Sequence, residues 1–142
     1  MLIRKMNLED LESIKDTLQT EFDDFWNYNI LAEELKNQYS KYFCAIENEK
    51  ILGFAGVWQS VDVMHITNIV VRKDMRGNHI GEKLLQKLID YSKTPEINSI
   101  TLEVHEENIV AQNLYKKYNF KPVGLRKNYY KDKNAIILTL KF

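Results

Sequence analysis

Two groups of residues in this 142-residue chain have types and spacing that could do chemistry. The first is Arg76-Gly77-Asn78-His79-Ile80-Gly81-Glu82, which follows the β-branched run Ile69-Val70-Val71 and enters an amphipathic segment. A strand that passes through a glycine-bearing turn into a helix leaves the first helical amides without intrahelical acceptors. It also turns the positive end of the helix dipole outward, which suits a phosphate. Gly77 and Gly81 remove side chains where a ligand would come close. The P-loop pattern needs Gly-Lys-Ser/Thr and the dinucleotide fingerprint needs three glycines, and neither is present. The second group is Glu103, Asn108 and Tyr115. Alternation puts Ile100, Leu102 and Val104 on one face and Thr101, Glu103 and His105 on the other, so Glu103 points away from the apolar face. A lone acid on the polar face of a central strand points to function, while Tyr115 also fits a packing stripe with Tyr118.

The elements that must position these groups can be read in order. Leu2 to Lys5 is a short strand. Asn7 caps a helix that carries Leu8, Leu11, Ile14 and Leu18. Phe22, Phe25, Trp26 and Tyr28 form an aromatic knot before a second helix near Leu31 to Gln38. Tyr42 to Glu47 and Ile51 to Gln59 flank the hairpin turn Asn48-Glu49-Lys50, and Val61 to Arg72 is a third long strand feeding the phosphate turn. Ile80, Leu84, Leu85, Leu88 and Ile89 share one helical face, which packs on a sheet. Asn108 stands where an N-cap would begin a helix with Val110, Leu114, Tyr115 and Tyr118. Asn119 supplies the left-handed residue that ends it. Phe120 to Lys127 and Ala135 to Leu140 close the sheet.

Composition narrows the class. The chain is one domain long, with no linker or repeat, and 44% hydrophobic residues suffice for a core. The first residues break into charge too early for a signal peptide, no apolar run reaches membrane length, and a cytoplasmic enzyme is expected. Cys44, the single cysteine, sits in an apolar strand and reads as a packing residue. His65, His79 and His105 lack partners at metal spacing, so no metal is expected. Net charge is zero, yet residues 111 to 142 hold eight Lys or Arg against the single Asp132, a polarity that suits a charged partner. No RNA-recognition signature is present, and no direct nucleic-acid binding is expected.

The spacing Arg76-x-x-His79-x-Gly81 resembles the Arg/Gln-x-x-Gly-x-Gly/Ala signature of the GNAT N-acetyltransferases, with His79 in place of the first glycine. Histidine is among the residues less penalised at positive φ. The stretch Leu102-Glu103-Val104, Asn108, Ala111, Leu114-Tyr115 and Phe120 resembles the ribosomal-protein alanine N-acetyltransferase branch. The likeness continues into Gly124-Leu125-Arg126-Lys127-Asn128-Tyr129-Tyr130 and Asn134-Ala135. It covers residues 61 to 140 well and the first sixty loosely.

The resemblance implies an α/β fold over residues 1–142, a single GNAT-type domain with a mixed, largely antiparallel sheet flanked by helices on both faces. It implies direct acetyl transfer from acetyl-CoA to a protein N-terminus, the alanine of ribosomal protein S18. The amides of Ile69, Val70 and Val71 would hold the pantetheine as an added strand. Arg76, Gly77, Asn78, His79, Ile80, Gly81 and Glu82 would hold the pyrophosphate, and Asn108 would lie near the thioester. Glu103 matches the proton acceptor and Tyr115 the donor to the leaving sulfur. An α-amine near ~7.7 to 8.0 is partly neutral at pH 7 and a lysine amine near ~10.4 is not, which favours the α-amine. A small-molecule amine acetyltransferase and a non-catalytic acyl-CoA-binding module are the alternatives. The residues that would choose the acceptor lie around Trp26 and in the Tyr129-Tyr130 loop.

Overall fold

A computed structural model describes every residue except Asp24, Phe25, Lys131 and Asp132, and gives the backbone alone at Tyr130. Phe25 of the expected aromatic knot thus lies outside the described residues. Seven strands form one open sheet: β1 (Leu2–Lys5), β2 (Ser40–Glu47), β3 (Lys50–Ser60), β4 (Val63–Val71), β5 (Ser99–His105), β6 (Lys121–Tyr130) and β7 (Lys133–Lys141), in the order β1-β2-β3-β4-β5-β7-β6. Every neighbouring pair is antiparallel except β4 and β5. Among the described residues the α-helices are α1 (Leu8–Ser13), α2 (Tyr28–Lys36), α3 (Ile80–Ser92) and α4 (Ile109–Lys117).

Alternation along the strands divides the core in two. Phe43, Ala45, Ala55 and Val57 face a cluster with Leu84, Leu85 and Leu88 of α3, which also takes in Leu114 and Tyr115 of α4. Their neighbours Tyr42, Cys44 and Phe54 face the other side, with Leu11, Leu18, Phe22 and Leu31. Helices therefore cover both faces, as the fold reading expects. Leu84, Leu85 and Leu88 are fully buried, and truncating one to alanine costs about 2 to 5 kcal/mol, enough to threaten a domain of this size.

Local chemistry explains the boundaries. Asn7 and Asp10 form a reciprocal capping box, Asn27 caps α2 and Asn108 caps α4. The β2–β3 hairpin turns on Asn48 and Glu49, both at positive φ, the pairing that matches strand twist. Asn119, at φ 71°, ends α4 as its type suggests. Three expectations need correction. The apolar spacing from Leu8 to Leu18 is not one helix: α1 stops at Ser13, and Leu18–Phe22 forms a separate π-helical turn. α2 runs from Tyr28 to Lys36, because Asn27 caps it early and Asn37 returns to extended backbone. Val61 sits in the β3–β4 turn at φ 54°, so β4 begins at Val63.

Candidate active site

The parallel pairing of β4 with β5 lasts only from Val63–Ser99 to His65–Thr101. Beyond it the two strands part. The β3–β4 register jumps from Val57–Ile66 to Gly56–Asn68, leaving Thr67 as an extra residue, a β-bulge that bends β4 away. The gap opens a cleft of about 850 Å³, lined among others by Ile69, Val70, Glu103, Asn108 and Tyr115. Along it the β5-facing edge of β4 past His65 has no paired strand among the described residues. An extended ligand with amide groups could add there as a strand does.

At the far end of β4 the chain enters the phosphate turn. Gly77 stands at φ 84° and His79 at φ 63°, so the histidine keeps the left-handed backbone that a glycine would supply. Among the described residues no side chain caps α3; its first helical bond runs from Lys83 N to His79 O, and the amides of Ile80, Gly81 and Glu82 precede it. A Cβ at Gly81 would meet only Val71 and Ile69 side-chain carbons, at 3.6 and 3.8 Å, so the protein's own packing does not require glycine there. The Arg76 guanidinium reaches back to the carbonyls of Phe22 and Val71, at 3.0 and 3.3 Å, tying the π-helical turn to this loop. Glu82 is drawn aside by Lys117 Nζ at 2.6 Å, Tyr118 Oη at 2.8 Å and His79 Nδ1 at 3.2 Å. The Lys117 hydrogen bond, then that of Tyr118, holds the Glu82 carboxyl down at about 2.

Across the gap, Glu103 lines the cleft and both its oxygens accept from Arg126 Nη1 at 3.1 Å. Arg126 comes from β6, two strands away, with β7 between it and β5. His65 lies on β4 with its ring stacked on Trp58, centroids 4.4 Å apart and planes at 12°. Burial pushes the His65 imidazole below the ordinary histidine range, and the charge of Glu103 partly offsets this. On the other side Tyr115 packs edge-on against Phe120 with centroids 5.8 Å apart, and Asn108 Oδ1 accepts from Ala111 N at 3.1 Å. At the root of the bulge Asn68 donates to the Tyr42 hydroxyl at 3.2 Å, while its buried Oδ1 has no partner among the described residues.

Glu103, Asn108, Tyr115, Ile69 and Val70 thus meet in one cleft, and the residues from Arg76 to Glu82 form the turn and first helical residues beyond the end of β4. Sequence reasoning missed Arg126 and His65 as members of the site. The only available signals were the Arg in the Gly-Leu-Arg stretch and a histidine in an alternating strand, and neither reveals which strand lies beside it. Cys44 is buried in β2 as expected, its thiol pushed up to about 11, which leaves it no nucleophile at neutral pH.

The profile of the acetyltransferase (GNAT) family matches residues 6–120. A Bacillus subtilis protein is 33% identical over 139 residues, spanning 96% of this chain and 92% of its own. The ribosomal protein bS18-alanine N-acetyltransferase of Haemophilus influenzae is 36% identical over 107 residues, 74% of this chain and 70% of that protein. Among solved structures, the ribosomal-protein-S18-alanine N-acetyltransferase of Escherichia coli superposes with a TM-score of 0.88 at 26% identity, over 99% of this chain and 92% of that one.

Proposed function

The chain belongs to the acetyltransferase (GNAT) family, and from that premise we propose that it moves an acetyl group from acetyl-CoA to the α-amine of a protein N-terminus, the alanine of ribosomal protein S18. The observation that carries this reading is the edge of β4 past His65, which among the described residues has no paired strand, leading along the chain into the start of α3, which has no side-chain cap among them. The path fits acetyl-CoA, whose thioester supplies the activated acetyl group. Ile69, Val70 and Val71 would offer backbone groups to the pantetheine, and the orphaned Asn68 Oδ1 is an acceptor suited to an amide N–H. The residues from Gly77 to Glu82 would hold the pyrophosphate through main-chain amides. Arg76 would serve this turn through its backbone, since its guanidinium is spent on two carbonyls.

At the reacting centre Glu103 faces the acceptor and takes up a proton, Asn108 steadies the thioester end, and Tyr115 meets the leaving sulfur. A thiol near ~8.5 against a phenol near ~10 makes full transfer uphill by roughly 1.5 units, so Tyr115 acts chiefly by hydrogen bonding the developing charge. The S18 acceptor is supported by the names of relatives that align along most of this chain. Incubation with acetyl-CoA and a peptide copying the N-terminus of S18 should release CoA. Turnover of a polyamine or aminoglycoside but not of that peptide would move the assignment to a small-molecule acetyltransferase. Tight acetyl-CoA binding without transfer would make it a binding module.

A further inference from the structure

The acceptor side of the cleft holds two proton acceptors of different strength, and the reaction has two protons to place. An α-ammonium that becomes an acetamide loses one proton before its nitrogen can attack and a second as the C–N bond forms. Carboxylates as a class titrate near ~4.3, more than three units below an α-amine, whereas imidazole at ~6.5 lies only about 1.3 units below. The first proton is the difficult one for a carboxylate. Both oxygens of Glu103 are already engaged by Arg126 Nη1.

We propose, building on the acetyl-transfer reading above, that His65 is a catalytic base: it takes the first proton from the incoming α-ammonium, and Glu103 takes the second. His65 and Thr101 are partners across the β4–β5 pair, and Glu103 stands two residues further along β5 on the same face. His65 and Glu103 are thus diagonal neighbours across the two strands, close enough that the charge of Glu103 acts on the imidazole. His65 lines the cleft at the point where the strands part, next to the end of the path assigned to acetyl-CoA. Stacking on Trp58 fixes its ring, and among the described residues no hydrogen bond engages either ring nitrogen.

Its titratable and charged neighbours around the cleft are Glu103 and His105 from β5, Arg126 and Tyr129 from β6, Tyr115 from α4 and Asp23 from the segment before α2. Burial lowers the imidazole pKa and the charge of Glu103 partly offsets this, so His65 is neutral at pH 7 and able to accept, with a gap to the α-amine wider than that of free imidazole. The steps balance. The ammonium gives one proton to His65, and the neutral amine forms the C–N bond to the acetyl carbon. The new amide nitrogen, now strongly acidic, gives its second proton to Glu103, for which a weak base is sufficient. The C–S bond breaks with its electron pair going to sulfur, which takes a proton from Tyr115. Solvent removes the two protons held by His65 and Glu103 and returns one to Tyr115.

The test compares His65→Gln with wild type from pH 6.5 to 9, reading kcat/KM with the S18 peptide and, separately, acetyl-CoA affinity by calorimetry. At pH 7 the variant should fall by about 10²-fold, the worth of one proton-transfer group. The deficit should shrink about six- to tenfold by pH 9, because the neutral fraction of an α-amine of pKa ~7.7 to 8.0 rises by that factor between pH 7 and pH 9. Acetyl-CoA affinity should hold, and added imidazole should restore turnover to His65→Gly. Glu103→Gln should show a deficit that does not shrink with pH. A His65→Gln deficit that stays constant across pH, or no deficit, overturns the proposal. If wild type acetylates only a polyamine, the S18 reading fails, while the same pH comparison on that amine still judges His65. If wild type acetylates no amine, both readings fail.

Discussion

Helices α3 and α4 each begin where a sheet strand hands over the chain, yet their first turns are finished in opposite ways. In α4 the side chain of Asn108 bonds the Ala111 amide, so the helix satisfies its own first turn and what it sends to the cleft is a side chain, Tyr115. In α3 the capping position is His79 in left-handed backbone with no side-chain cap among the described residues, and what that helix presents is its first amides. The carboxylate in that first turn, Glu82, is turned toward Lys117 and Tyr118. A capped start organises chemistry, and an open one organises anion affinity.

The largest test of that contrast is on the α4 side. Tyr115→Phe keeps the ring that packs on Phe120 and removes only the hydroxyl. It should lower kcat by about 10²-fold with acetyl-CoA affinity nearly intact. Steady-state kinetics beside calorimetry reads both numbers, and a loss confined to affinity would show that Tyr115 is a binding residue.

On the α3 side, Gly81→Asp sets a carboxylate before the free amides, in a position with room for its Cβ. Acetyl-CoA affinity should drop about 100-fold, comparable to one or two charge-assisted hydrogen bonds at ~1.5 to 3 kcal/mol each. Helix stability should rise, because an acid in the first turn suits the dipole and glycine is a poor helix former. Opposite movements of melting temperature and affinity would single out ligand binding as the reason for the glycine. A variant that loses both would show that Gly81 is there for the fold.

These two regions also differ in how far the sequence disclosed them. The phosphate turn and the strand carrying Glu103 are local patterns: contiguous residues set the left-handed turn at His79, and the alternation of Ile100, Leu102 and Val104 sets the direction of Glu103. Arg126 and His65 join the site only through topology. β7 intervenes between β5 and β6, and β4 runs parallel to β5, so neither adjacency follows from spacing along the chain. The bulge at Thr67 was equally hidden, because one extra residue leaves an apolar β-branched run looking continuous. The π-helical turn escaped for the opposite reason, since Leu11, Ile14 and Leu18 keep helical spacing across a break in the backbone.

A smaller effect separates the two duties of Asn108. Asn108→Ala removes the cap and should cost about 1 kcal/mol of stability. Asn108→Asp keeps an acceptor for the Ala111 amide, so stability should stay within about 0.5 kcal/mol of wild type while the Nδ2 donor is lost. Thermal melts beside kcat/KM resolve the two. If the aspartate variant keeps full activity, Asn108 serves α4 alone.

The smallest expected effect lies at the pair that keeps Glu82 off the anion site. The Glu82 carboxyl is held at about 2, with the Lys117 hydrogen bond as the leading cause and 4.5 as the ordinary value. A carboxyl depressed in the folded state contributes stability that is fully present above pH 4.5 and lost as pH falls through about 2. Lys117→Met keeps an apolar stem and removes the charge, so its melting temperature should lie slightly below wild type from pH 5 to 8. The two curves should converge between about pH 4.5 and 2. The gap stays modest because Lys117 is largely exposed and solvent screens the pair. A gap of equal size at pH 2 and pH 7 would mean that Lys117 supports α4 through contacts of its stem. In that case the turning aside of Glu82 would rest on Tyr118 and His79, and Tyr118→Phe should then free the carboxylate to oppose acetyl-CoA binding.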